Sequence, residues 1–251
     1  MNPLAILSLV VGVSALLLAV ATAGGLAWKH ARCGRVAQLE FLLLLLAGIL
    51  LVSLGSLLLA LAPTTGTCVA SVWAIVVGYA LQVVPLVVKA ATIVFIVKES
   101  AKMNRVNVDK HELLKGSVVL SSTAVLYCLL WTYFDAPQIQ RDADGVSYCD
   151  WGSHAWYAIF LACQGIGNVK LGFLAYGMRN APDVICESHE ISLMILLPAI
   201  MMIFRTLVYV VSIVSPDAHG AEVINYLPSF FFATEMIGLV VLYFPRFFQD
   251  V

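Results

Sequence analysis

The stretch "VVPLVVKAATIVFIV", residues 83–97, holds one charged side chain, Lys89, in a run that is otherwise apolar or nearly so. Working outward, 61% of the chain is hydrophobic and only 12% charged. Soluble domains are roughly half apolar and a quarter charged, so the run belongs to an integral membrane protein. A hydrocarbon core of about 30 Å needs about 20 apolar residues in helical form. Stretches of that length lie near 4–28, 38–62, 68–97, 113–134, 154–177, 189–214 and 223–248. The connections are short, and no polar run is long enough for a second, soluble domain. Residues 1–251 therefore read as one all-α membrane domain, a bundle of seven transmembrane helices. A secretory signal is the competing reading of the first span, because "AVATAGG" offers small residues like a cleavage site. Against it, no Lys or Arg precedes the span, and its apolar run is about twice the length of a signal core.

Cations near span ends are retained on the cytoplasmic side. Lys29, Arg32 and Arg35 follow the first span. Lys98, Lys102, Arg105, Lys110 and Lys115 follow the third, Arg179 the fifth, and Arg246 closes the seventh. All of these fall on one side. The other side has Arg141 among Asp135, Asp142, Asp144, Asp150, Asp217 and Glu222. The expected orientation is amino terminus outside, carboxyl terminus inside. Disulfides persist on the oxidising side, where Cys68 and Cys149 are the two cysteines placed to meet, so a Cys68–Cys149 bridge is expected. Cys128 and Cys163 fall within spans and read as small apolar packing residues. Cys33 and Cys186 face the cytoplasm, and no cysteine or histidine spacing suggests a metal site.

Ionisable groups inside a span are costly and tend to face the bundle interior with a partner. Lys89 lies about 31 Å along the helix from Cys68 at about 1.5 Å per residue, near the inner rim. Two readings stand. The side chain snorkels along its four-carbon stem to the interface, or it pairs with Glu187 in "ICESHEISL" at a similar depth. Arg205, in "IMMIFRTLVY", and Glu235, in "FFFATEMIGL", sit about 13 and 18 Å below the outer loop. They can pair across adjacent helices, as a structural bridge or as a ligand determinant. Lys170, about two turns from the end of its span, snorkels inward.

These positions exclude several functions. A retinal protein needs a lysine in its last span, and 223–248 has none. A transporter would show a duplicated pattern of broken segments, and an odd span count argues against one. Intramembrane catalysis would need a set such as paired Asp, Ser with Lys, or HExxH; no Asp lies inside any span and no His pair has metal spacing, so no enzyme is expected. The motifs that remain run in order. "CVASVWAIVVGYALQVVPLVVKAATI" resembles the third helix of the class C G-protein-coupled receptors, with its Cys, Trp, Gly-Tyr and inner Lys. "NVDKHELLKG" resembles their second inner loop. "FLAYGMRNAPDVICESHEI" is similar to their fifth-helix exit and acidic-Ser start of helix six, and "LYFPRFF" to the Pro-Lys ending of helix seven, with Arg246 keeping the charge. The resemblance covers the chain and is nearest to the GABA-B branch.

The resemblance implies that Lys89 and Glu187 form an ionic lock restraining the inactive receptor. It implies the bridge between helix three and the second outer loop at Cys68 and Cys149. It further implies a surface for a heterotrimeric G protein at Lys102, Arg105, Lys110, Arg179, Asn180 and Arg246. A homo- or heterodimer with another such subunit in the plasma membrane is expected. Partners would be membrane lipid but not nucleic acid, with no cofactor beyond bound lipid and no metal. A non-coupling partner or scaffold subunit is the alternative function. Class C receptors usually sense ligand in a large bilobed extracellular domain, and only three residues precede the first span here. The chain is then the membrane part of a longer protein or a receptor without that domain. "GILLVSLGS" spaces two glycines at seven on one helix face, a candidate packing surface.

Overall fold

The computed structural model describes residues 3–33, 39–61, 64–100, 110–141, 147–178, 188–214 and 226–243. Without water in a bilayer core, every backbone N–H and C=O must be paired inside its own segment, which selects helices. The described helices are α1 (Pro3–Cys33), α2 (Leu39–Ala60), α3 (Thr65–Ser100), α4 (Lys110–Phe134), α5 (His154–Met178), α6 (Ser188–Val214) and α7 (Leu227–Tyr243). Five contain a stretch long and apolar enough to cross a membrane: Pro3–Trp28, Phe41–Ala60, Thr65–Ile96, Leu113–Phe134 and His154–Gly177. Leu196–Val211 and Leu227–Leu242 are shorter apolar helices.

The surface is greasy and the interior is part polar. Val118, Val119, Leu126, Leu129 and Tyr133 project from α4, and Ile203, Phe204 and Leu207 from α6. Ser53, Ser56, Ser71, Gln82, Gln164 and Asn168 are buried instead. Ser229 on α7 donates to the carbonyl of Ser56 on α2 at 2.7 Å. The main core runs from α1 through α2, α3 and α7, and includes Ile49, Val52, Ile75, Tyr79, Phe232 and Met236. A smaller cluster, Ala90 with Leu171, joins the C-terminal halves of α3 and α5.

Helices α2 and α3 approach to backbone contact. A Cβ on Gly48 would lie 2.6 Å from the carbonyl oxygen of Gly78, and one on Gly78 would lie 2.9 Å from that of Gly48. A Cβ on Gly55 would meet Ile75 at 2.7 Å. The seven-spaced glycines therefore serve packing within the chain.

One part of the fold departs from the all-α expectation. The connection between α4 and α5 forms an antiparallel hairpin, β1 (Gln138–Arg141) with β2 (Ser147–Asp150), pairing Ile139 with Cys149 and Gln140 with Tyr148. Two four-residue strands carry too little alternation to stand out against seven long apolar runs. Cross-strand bonds hold the register: Gln140 Nε2 donates to Asp150 at 2.6 Å, and Tyr148 Oη to Gln140 Oε1 at 3.0 Å. The Cys68–Cys149 disulfide then fastens β2 to the start of α3, with both cysteines buried. That start is capped reciprocally. Thr64 N donates to Thr67 Oγ1 at 2.7 Å, and Thr67 N to Thr64 Oγ1 at 3.2 Å, satisfying donors that a helix terminus leaves open.

Beneath the hairpin, Trp131 stacks on Trp156 and donates Nε1 to the carbonyl of Trp151 at 3.2 Å. Asp135, just past α4, accepts the backbone N–H of Ser153, which opens α5. Gly152 between them has φ of 78°, and a Cβ there would lie 2.7 Å from the Asp135 carboxylate. Only glycine suits both the left-handed backbone and the crowding. Trp73 Nε1 donates to Thr132 at 2.8 Å, tying α3 to α4.

Candidate functional site: a charge cluster in the bundle core

Three helices bring a polar cluster to the middle of the bundle. On α3 the inward positions recur at helical spacing through Cys68, Val72, Ile75, Tyr79 and Gln82. On α7 they are Ser229, Phe232, Ala233, Met236 and Val240, with Glu235 among them. On α6, Arg205 turns inward while Ile203, Phe204 and Leu207 turn outward. Arg205 and Glu235 are both sealed from solvent, each with 0% side-chain exposure.

Arg205 Nη1 lies 2.6 Å from Glu235 Oε2 and donates to Tyr79 Oη at 2.6 Å. The Tyr79 hydroxyl in turn donates to Glu235 Oε2. Tyrosine is suited to this place because its hydroxyl accepts from a cation and donates to an anion at once. The guanidinium also lies over the Phe232 ring, 4.5 Å from its centroid, and 5.2 Å from that of Tyr79. Such contacts are favourable for a desolvated cation. Phe160 on α5 meets the Tyr79 ring edge-on at 5.9 Å.

The cluster is only partly satisfied. Arg205 Nε and Nη2, Glu235 Oε1 and both polar atoms of Gln164 are buried without a hydrogen-bond partner among the described residues. Gln82 Nε2 reaches Met236 Sδ at 3.1 Å and Asn168 Nδ2 reaches Met202 Sδ at 3.9 Å, both weak acceptors.

The family model described as "7 transmembrane sweet-taste receptor of 3 GCPR" matches residues 1–246. The chain belongs to that family. Class C G-protein-coupled receptors are a receptor family and not an enzyme class, so this is an integral membrane receptor domain with a disulfide between α3 and β2. It is 24% identical over 153 residues to "Metabotropic glutamate receptor-like protein B" of Dictyostelium discoideum. The match takes in 58% of this chain and 15% of that relative, so the chain spans a small part of the relative's length.

In this class C receptor chain, the residues singled out in the sequence divide by position. Arg205 and Glu235 are brought together, and Cys68 and Cys149 are joined. Lys89 is half-buried in the C-terminal half of α3, while Glu187 lies outside the described residues. Lys102, Arg105, Arg179, Asn180 and Arg246 also lie outside them. Lys110 opens α4, but its side chain is outside what is described. Lys170 is exposed on α5. Cys128 is buried as expected, whereas Cys163 faces outward from α5 and packs no core. The sequence signal for Tyr79 is its depth, about 17 Å along α3 from Cys68, level with Arg205 and Glu235.

Proposed function

We propose that this chain is the signal-passing membrane domain of a GABA-B-like class C receptor in the plasma membrane. A ligand signal reaches the bundle from outside and is handed to a heterotrimeric G protein inside. The family match across residues 1–246 carries this reading. The cation pattern supports an outside amino terminus and an inside carboxyl terminus. The motifs around Lys89 and Glu187 favour the GABA-B branch. The Dictyostelium relative's name supports a receptor without selecting the ligand.

In two-state terms, a resting and an active helix arrangement exchange, and whatever binds the active one better shifts the population toward it. Lys89 and Glu187 form an inner-face restraint that favours the resting arrangement. G protein meets the inner surface at Lys102, Arg105, Lys110, Arg179, Asn180 and Arg246, and the subunit works as a homo- or heterodimer. Lys89→Ala or Glu187→Ala raises basal nucleotide exchange on a reconstituted G protein, by severalfold for a restraint of about 1 kcal/mol. Unchanged basal exchange at normal surface expression would remove the lock from the mechanism.

A further inference from the structure

We infer that Tyr79, Arg205 and Glu235 form a latch in mid-bundle, separate from the inner-face lock, which closes α3, α6 and α7 together dry and opens by letting water reach them. Its existence rests on geometry. Its signalling consequence rests on the receptor reading above.

One guanidinium nitrogen, Arg205 Nη1, makes both polar ties of α6 described at this level, to α3 through Tyr79 and to α7 through Glu235. Moving α6 outward breaks the two together, so the contact yields in one step. What distinguishes it from a plain structural bridge is what closure leaves unmet. Arg205 Nε and Nη2 and Glu235 Oε1 are sealed and without partners among the described residues, and each such buried group carries a desolvation penalty. The low dielectric of the core makes each unpaired buried polar group costly, which raises the cost of closure. Opening forfeits the ties made by Nη1 and Tyr79 but hydrates the three unmet atoms. The two arrangements are thereby drawn close in free energy, as a switch requires. A small ligand is not the natural occupant, because the closed packing gives these atoms no surface that even water can touch. Tyr79 tips the balance toward closure, since its hydroxyl bonds both charges.

The test uses the full chain in lipid nanodiscs. Tyr79→Phe keeps the ring that packs against Phe160 and Phe232 and removes only the hydroxyl. Amide hydrogen exchange over residues 199–209 and 230–240 should rise about tenfold, the worth of one hydrogen bond to a charged group, while residues 42–59 of α2 stay unchanged. Glu235→Gln keeps the shape but leaves Arg205 without its counterion, so exchange over the same residues rises by more than in Tyr79→Phe, and it is the second variant of the test. Unchanged exchange in the folded variants overturns the latch. An equal rise in every helix also overturns it, because the cluster is then a structural tie. A rise confined to α6 and α7 with no gain in basal nucleotide exchange keeps the latch and refutes the receptor reading instead.

Discussion

Arg205 and Glu235 show how strongly a buried charge depends on its partner. Removing one member strands the other, at a cost of about 3–5 kcal/mol, whereas replacing both by apolar residues of similar volume is often neutral. Glu235→Ala is thus expected to lower the thermal midpoint in detergent well beyond Tyr79→Phe. The double variant Arg205→Met with Glu235→Leu should recover most of the loss, as read by thermal unfolding of the purified chain. The pair itself was legible in the sequence, because two ionisable residues in apolar runs at matching depth have few alternatives to meeting. Tyr79 was not. A tyrosine counts as apolar in any hydropathy reading, and only the packing of three helices reveals which of the chain's tyrosines puts its hydroxyl between charges.

Among elements, the α2–α3 contact is the one that tolerates least. Gly48 and Gly78 face each other across touching backbones, so any side chain at Gly48 must push the helices apart. Overpacking of this kind typically costs about 1–3 kcal/mol. Gly48→Leu should reduce folded yield and thermal midpoint, while Gly24→Leu, with open space around it, should not; fluorescence-detected gel filtration of both variants checks this. Helix positions were readable in advance since the hydrocarbon thickness dictates their length. The hairpin was hidden, because its register depends on Gln140, Tyr148 and Asp150 bonding across strands and on a disulfide 81 residues apart. The outward turn of Cys163 was hidden too, since which face of α5 meets lipid is decided by its neighbours.

For the molecule as a whole, the remaining quantity to establish is which end of the bundle faces outside. An Asn-X-Thr acceptor inserted in the loop 142–146 becomes glycosylated only if that loop enters the secretory lumen. Expression in cells should give a species that shifts on deglycosylation, while the same acceptor inserted at 103–107 should give none. The reverse result would invert the bundle and with it the G-protein surface.

The disulfide near the start of α3 has a mechanical meaning. With Cys68 fastened to the hairpin, and the hairpin seated over the tryptophans between α4 and α5, Cys68 is a fulcrum and the rest of α3 is a lever about 48 Å long. A tilt of about 4° about that point displaces Tyr79 by only about 1.2 Å but carries the far end by about 3.3 Å. A small shift at the depth of the arginine is thereby magnified at the far end of α3, and the stroke is set by how far down the lever each contact lies.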